Sequence, residues 1–415
     1  PGEGGHLPGS KVTAAIARAR NAQIGSDLIS PSNNHDLYSI EDLAQLIDEL
    51  KTANPHVRVI VKVPVVPGIG TIAIGIAKAG ADVITLSGFD GGTGAARQHA
   101  LRRAGLPCEI GTALAHHALT EAGIRDRVEI WADGGLRSAS DAIKLICLGA
   151  NRLGFGTAAM VAIGCTICRG CQLDTCHVGI ATQMEDEHEA KERGLKRFVP
   201  REFESSAEAL VRYFTEMGEA MKELAGQMGA SSVQELVGQA DRLVQVSHHE
   251  RLDLTGLLTP VAQQIITAPS GEARYFREFN PPPPHRAPEV AAQRLAAGSA
   301  LAVEEETTTA ADRNLGVDLA GMIARAHTHV NTSWAFDGVG NGNGSSHGGN
   351  AEILTEAERG TGNGPMVDLA FTKGAAAGSG LAAFNVGGVR IRVFGGAQDG
   401  VGKCSLGGEI QVLKA

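Results

Sequence analysis

Four cysteines fall within twelve consecutive residues, Cys165, Cys168, Cys171 and Cys176, in the run CTICRGCQLDTC. The chain has seven in all, so more than half of them sit in this one stretch. Free structural cysteines have no reason to bunch in this way. A structural zinc site usually draws its thiolates from two C-x2-C hairpins well separated in sequence, which this run does not offer. The spacing C-x2-C-x2-C-x4-C is nearer the compact runs that hold iron–sulfur clusters. Spacing alone leaves open whether three or four of the thiols are ligands.

A second set of residues sits where strands run into loops. Lys62 interrupts the otherwise apolar stretch VRVIVKVPV (57–65). The plainer reading is a lysine snorkelling from a strand end; the functional one is a cation at the mouth of a barrel, facing a cofactor or an anionic substrate. SGFDGGTGA (87–95) follows the next strand, with Ser87, Asp90 and Thr93 as polar handles and Gly91 and Gly92 allowing close backbone approach. Asp133, Gly134 and Gly135 in DGG, and Gly154, Gly156 and Thr157 in GFGT, would together cradle a phosphate through backbone N–H groups. Such a pair suggests a nucleotide-like cofactor with a terminal phosphate, such as FMN. His116 and His117 lie within a helical pattern, where a half-buried histidine is the plainer reading.

The elements that must position these residues alternate. DLIS (27–30), VRVIVKVPV, ADVITLSG (81–88), VEIWADGG (128–135) and NRLGFGTAAM (151–160) read as strands. SIEDLAQLIDELKTA (39–53), GTIAIGIAKAG (70–80), IGTALAHHALTEAG (110–123) and ASDAIKLICLGA (139–150) read as helices, the first opening on a capping pair, Ser39 and Asp42. Strands alternating with helices imply a parallel sheet with right-handed crossovers. A doubly wound sheet would carry G-x-G-x-x-G after its first strand, and none is present. Glycine loops after the last two strands favour the C-terminal part of a (β/α)8 barrel of the TIM type. Five strands are fewer than eight, so a fragment is expected, one that folds poorly without the missing strands.

Downstream, residues 183–279 form a charged helical extension, clearest in SAEALVRYFTEMGEAMKELAGQMG (206–229). NPPPPHRAPE (280–289) opens a Pro-rich linker taken to 309. Residues 310–415 pair short apolar runs with glycines, the pattern of a β-solenoid, expected to be truncated. Glycine is abundant throughout, at 54 of 415 residues, in keeping with many tight turns. A net charge of −9 argues against a nucleic-acid or anionic-membrane partner. No apolar run reaches the ~18 residues of a membrane helix. Neither a signal peptide nor a secreted disulfide framework is legible, and a cytoplasmic setting fits best.

These residues resemble a known family. PGEGGHLPG (1–9), LISPSNNHDLYSIEDLAQLI (28–47), the strand bearing Lys62, SGFDGGTGA, DGG, GFGT and the frame C-x5-C-x4-C…VGIATQ (165–183) are similar to the flavin domain of the glutamate synthase large subunit. DRNLGVDLAGMIAR (312–325) and AAFNVGGVRIRVFGGAQDGVGKCSLGGEI (382–410) resemble its glycine-repeat β-helix domain. The resemblance implies an oxidoreductase with FMN and a 3Fe–4S cluster, the latter held by Cys165, Cys171 and Cys176. Cys168 is an addition to the family frame, either a bystander or the fourth ligand of a 4Fe–4S cluster. Electrons would come from an NADPH-oxidising small subunit or from ferredoxin, and pass through the cluster to FMN. Ammonia and 2-oxoglutarate would give 2-iminoglutarate, reduced to glutamate. Lys62 matches the lysine that stabilises the reduced flavin, and Gly134, Gly135, Gly154 and Gly156 match its phosphate site. An oligomer is expected.

Three departures bear on substrate. Val65 and Val66 stand where polar substrate-holding residues are expected, and Leu114 stands in place of a glutamate, though His116 is kept. The sequence starts at Pro1 and not at a glutaminase cysteine nucleophile; in a fragment that domain would lie upstream, and otherwise ammonia would come from free solution or another chain. Val65, Val66 and Leu114 favour a related flavoprotein such as an N-methylglutamate synthase subunit, and the incomplete barrel favours a non-catalytic electron-transfer or assembly module.

Overall fold

The computed structural model describes residues 4–31, 34–91, 104–261, 301–305, 314–331, 367–377, 380–398 and 400–413. They divide into two compact units, the first built from 1–44 and 58–277, the second from 45–57 and 278–415. The Pro-rich linker expected at 280–309 lies outside the described residues except for 301–305.

The first unit opens with β1 (Gly5–Leu7), α1 (Ala14–Ala19) and β2 (Leu28–Ser30). β1 and β2 pair with each other, antiparallel. The segment DLIS is therefore not the first strand of the parallel sheet: three residues satisfy their backbone groups locally, in a small ribbon of their own. The helix α2 (Ile40–Ala53) begins on the expected reciprocal cap. Asp42 N–H donates to Ser39 Oγ at 3.2 Å, and Ser39 N–H to Asp42 Oδ2 at 3.1 Å.

The parallel sheet follows. Its strands are β3 (Ile60–Pro64), β4 (Val83–Ser87), β5 (Glu129–Asp133) and β6 (Arg152–Gly154), joined by α3 (Ile69–Lys78), α4 (Cys108–Glu121) and α5 (Ala139–Cys147). The spatial order is β3-β4-β5-β6, every pair parallel. The order never reverses, so right-handed crossovers lay all three helices on one face. The side chains agree: Ile84, Leu86, Ile130 and Ala132 all point to that face and are fully buried. Ala132 packs with Cys108 of α4 and Leu145 of α5. No closed barrel forms among the described residues; the sheet has four strands.

The last predicted strand is shorter than its pattern suggested. β6 spans three residues, and α6 (Thr157–Ala162) takes over the rest of NRLGFGTAAM. The apolar run AAMV suits either period, and helix prevails there. Beyond the cysteine run come α7 (Glu187–Glu192) and the long α8 (Phe203–Gln227). α8 lays Ala225, Met221 and Leu224 against Ile143, Ile146 and Cys147 of α5.

In the second unit, β7 (Leu301–Glu305), β8 (Val367–Ala377), β9 (Val389–Ala397) and β10 (Glu409–Leu413) form a parallel sheet in sequence order. Val367, Leu369, Phe371, Val389, Ile391 and Val393 alternate inward and are at most 3% exposed. They pack on Leu319 and Ile323 of α9 (Val317–Asn331). Arg390 and Arg392 alternate outward, where Arg392 Nε donates to Asp368 Oδ1 at 2.9 Å and Arg390 Nε to Glu409 Oε2 at 2.6 Å. The turns between strands stack as well. Phe384 N–H donates to Lys403 O at 2.8 Å and Leu406 N–H to Asn385 O at 2.8 Å. No helix among the described residues is long and apolar enough to cross a membrane.

Candidate functional site

Period-two alternation sends Lys62, Ser87 and Asp133 to the face of the first sheet opposite its helices, near the strands' C-terminal ends. There they meet. Lys62 Nζ lies 2.6 Å from Asp133 Oδ2, and Ser87 Oγ donates to Asp133 Oδ1 at 2.6 Å. Ser87 is 1% exposed, whereas the Lys62 side chain is 53% exposed and Asp133 21%. A buried hydroxyl thus fixes one carboxylate oxygen, and the other holds an ammonium that still faces outward.

The glycine loops surround this group. Gly134 and Gly135 have φ of +119° and +75°, values that side chains rarely adopt. A Cβ at Gly135 would stand 2.9 Å from Asp90 Oδ2, and one at Gly134 would stand 3.1 Å from the Gly88 nitrogen. A Cβ at Gly91 would approach Asp133 Oδ1 to 3.2 Å, and one at Gly154 would reach Asp133 Cβ at 3.0 Å. Loops 87–91 and 133–135 therefore need glycine to pack on each other. Gly156 differs: it precedes Thr157 at the start of α6, and among the described residues a Cβ there would meet nothing within 4 Å. Gly92 and Thr93 lie outside the described residues.

Several residues suspected of bearing on substrate lie elsewhere. Val65 is fully buried; its N–H donates to Ser87 O at 2.9 Å, and its side chain packs against Gly111 of α4. Leu114 is partly exposed on α4. His116 Nδ1 accepts from Arg125 Nε at 3.0 Å, and burial is the main cause that lowers its pKa to about 4. Its ring sits between the backbones of Gly149 and Gly238. Arg125 also donates to the carbonyls of Val128 and Gly149 and to Asn151 Oδ1, tying off the N-terminal ends of the strands. A polar cavity of about 320 Å³ opens at that end, lined by Arg58, Arg125, Arg127 and Glu129 among others. Cys108, beneath the opposite end, is inert: burial pushes its thiol up to about 12, and Sγ donates to Leu86 O at 3.6 Å.

The cysteine run follows α6 as a loop of unusual backbone. Ile167, Arg169 and Asp174 have φ of +53°, +58° and +54°. A β-branched residue in that region is strained and persists only where its surroundings hold it. Two anchors do so. Asp174, 3% exposed, accepts from Thr182 Oγ1 at 2.8 Å and Gln183 N–H at 3.0 Å, and pairs with Arg193 at the end of α7. Lys11, 8% exposed, donates to Cys171 O at 2.5 Å and Ala181 O at 2.6 Å. Neither anchor carries a local sequence signal; a lysine just past Pro-Gly reads as a solvated turn. All seven cysteines are free thiols. Cys176 is buried, Cys165 and Cys171 are partly exposed, and Cys168 is exposed. Among the described residues, no three potential metal ligands surround a common centre. The donor chemistry, four free thiols on a short anchored loop, nonetheless fits a thiolate-bound cluster.

Comparison with known proteins adds a lineage. Residues 1–231 match the family model described as the conserved region in glutamate synthase. The large chain of the NADPH glutamate synthase of Azospirillum brasilense is 37% identical over 99% of this chain and 24% of its own length. The Bacillus subtilis NADPH enzyme's large chain is 44% identical over 59% of this chain and 15% of its own. Ferredoxin-dependent glutamate synthase 2 of Synechocystis is 35% identical over all of this chain and 24% of its own. The chain spans about a quarter or less of these relatives. Among solved structures, a flavocytochrome b2 variant with pyruvate bound matches at a TM-score of 0.31 and 16% identity, over 59% of this chain and 43% of that one.

Proposed function

This chain belongs to the glutamate synthase family, and from that premise we propose that it is the flavin- and cluster-bearing part of a glutamate synthase large subunit. The reaction is the reductive amination of 2-oxoglutarate by ammonia through 2-iminoglutarate, with electrons from an NADPH-oxidising partner subunit or from ferredoxin. Residues 1–182 are the FMN-binding portion of a (β/α)8 barrel. The unreversed parallel strand order and the outward-facing Lys62 support that reading. Residues 183–279 form its helical extension and 310–415 the start of a β-helix, to which β7 (301–305), from within the expected linker 280–309, adds a strand. The in-order parallel strands and stacked turns of the second unit support the last of these. The working protein is a cytoplasmic oligomer.

The observation that carries the proposal is the Lys62–Asp133–Ser87 group. When bound there, FMN would supply hydride to the imine carbon, drawing single electrons through the iron–sulfur cluster. The residues' own work is electrostatic and positional. Asp133 takes one of the three N–H donors of Lys62 and fixes Nζ, leaving two for a flavin or a carboxylate substrate. A preorganised ammonium stabilises negative charge as it develops, at no cost in reorganisation. Ser87 and Asp90 would meet the polar parts of the cofactor. The Gly134–Gly135 backbone and the open space at Gly156 and Thr157 would take its phosphate. Cys165, Cys171 and Cys176 would hold a 3Fe–4S cluster, with the more exposed Cys168 left outside it.

Anaerobic reconstitution with FMN, iron and sulfide of a full-length large subunit carrying this chain, turned over with a chemical reductant, tests this. The expected result is stoichiometric flavin, an EPR signal present when oxidised and lost on reduction, and glutamate formed from 2-oxoglutarate and ammonia. A signal that appears only on reduction would make Cys168 a ligand. Turnover of methylamine with glutamate instead would transfer the assignment to the related synthase. Failure to retain flavin would overturn the proposal.

A further inference from the structure

Lys11 is nearly buried, yet among the described residues its partners are main-chain oxygens and no carboxylate. Charged side chains are almost never buried without compensation, because desolvating them costs several kcal/mol. The two oxygens are not arbitrary. Cys171 and Ala181 flank Cys176 on either side, so one ammonium ties both arms of the loop that carries the most buried thiol. Among the described residues no anion answers the charge on Lys11. A set of thiolates on the same loop would be that anion.

We propose that Lys11 is a positioning residue of the cysteine loop: it clamps the two backbone arms around Cys176 and sets a positive charge against the thiolate ligands. The second half rests on the cluster reading given above; the first does not. The clamp explains how a strained loop keeps its shape before any metal arrives. The charge favours the more negative, reduced state of a bound cluster, so its removal lowers the reduction potential.

The test uses the full chain, as wild type and as Lys11→Met and Lys11→Gln. In metal-free protein, alkylation by iodoacetamide is followed thiol by thiol by mass spectrometry. Losing two charge-assisted hydrogen bonds should speed labelling of Cys176 by roughly tenfold in Lys11→Met. Lys11→Gln keeps one short donor group and should fall between. Cys168, already exposed, should not change, and Cys108 and Cys147 should stay protected, which separates loop opening from global unfolding. Unchanged labelling of Cys176 in both variants overturns the clamp. After reconstitution, the midpoint potential should fall in both variants; an unmoved potential overturns the role of the charge. A wild-type chain that binds no iron defeats the cluster reading, and the charge role with it, whereas the response of Cys176 still decides the clamp.

Discussion

Lys62 and Asp133 are 71 residues apart in sequence, yet Nζ and Oδ2 stand 2.6 Å apart across the C-terminal ends of β3 and β5. The strand between them supplies Ser87, whose hydroxyl holds the second carboxylate oxygen. Three neighbouring strands thus contribute one side chain each to a single group.

Replacing the lysine should therefore separate chemistry from stability. Lys62 is half exposed, and exposed ion pairs stabilise by about 1 kcal/mol or less. Lys62→Met should leave the urea midpoint almost unchanged, while glutamate formation falls by about 10²-fold or more. Steady-state rates beside an unfolding curve check both halves. Rates near wild type would remove Lys62 from the reaction.

Gly135 and Gly156 should respond differently to alanine. At Gly135 a methyl group meets Asp90 and an unfavourable φ, so Gly135→Ala should destabilise by about 1–3 kcal/mol. At Gly156 it meets nothing and should leave stability alone. If a phosphate lies against Gly156, the same methyl should weaken FMN binding several-fold. Equilibrium dialysis with a melting curve distinguishes a ligand effect from a folding one.

His116 makes the first unit sensitive to acid. Its folded pKa, about 4, lies below the ordinary 6.5, so the unfolded chain binds the proton more readily. Stability from this group is complete above about pH 6.5, declines as pH falls, and stops declining below about 4. A shift of that size corresponds to an upper bound of roughly 3 kcal/mol. His116→Gln should flatten the dependence between pH 6.5 and 4, whatever it does to stability at pH 8. Denaturant titrations across that range give the slope directly.

Arg193 neutralises a carboxylate that is 97% inaccessible, the complement of the 3% exposure of Asp174. Arg193→Met strands that charge and should cost about 3–5 kcal/mol locally. Hydrogen exchange at residues 174–184 should accelerate, while the strands of the sheet stay protected. Pairing with Asp174→Asn should recover much of the loss, since the stranded charge is then gone.

The alternation of apolar strands and amphipathic helices made β3 to β6 and α2 to α5 legible, because both periods are strong and the central strand β4 is buried along its length. Lys62 could be singled out because a lysine inside an apolar strand breaks that pattern. What escaped reading was non-local or ambiguous. DLIS has the composition of a strand, but whether three residues join the main sheet or pair with β1 depends on contacts made at a distance. The run after GFGT suits helix and strand equally. Val65 stands where the resemblance expects a polar substrate-holding residue after Lys62, and period two turns it to the opposite face, against Gly111. The partners of Lys11 are about 160 and 170 residues away, and no window of sequence connects them.

The imidazole of His116, held between Gly149 and Gly238, also limits how this sequence can change over time. Neither glycine can gain a side chain while the ring remains, and at both positions φ is positive, so the backbone resists replacement as well. A smaller residue at 116 would have to come first, and it would leave the Arg125 Nε without its acceptor at the end of the strands. Substitution at three places scattered along the chain must then proceed in a fixed order or not at all. Among homologous chains, position 116 and the two glycines should vary together, with the arginine at 125 following.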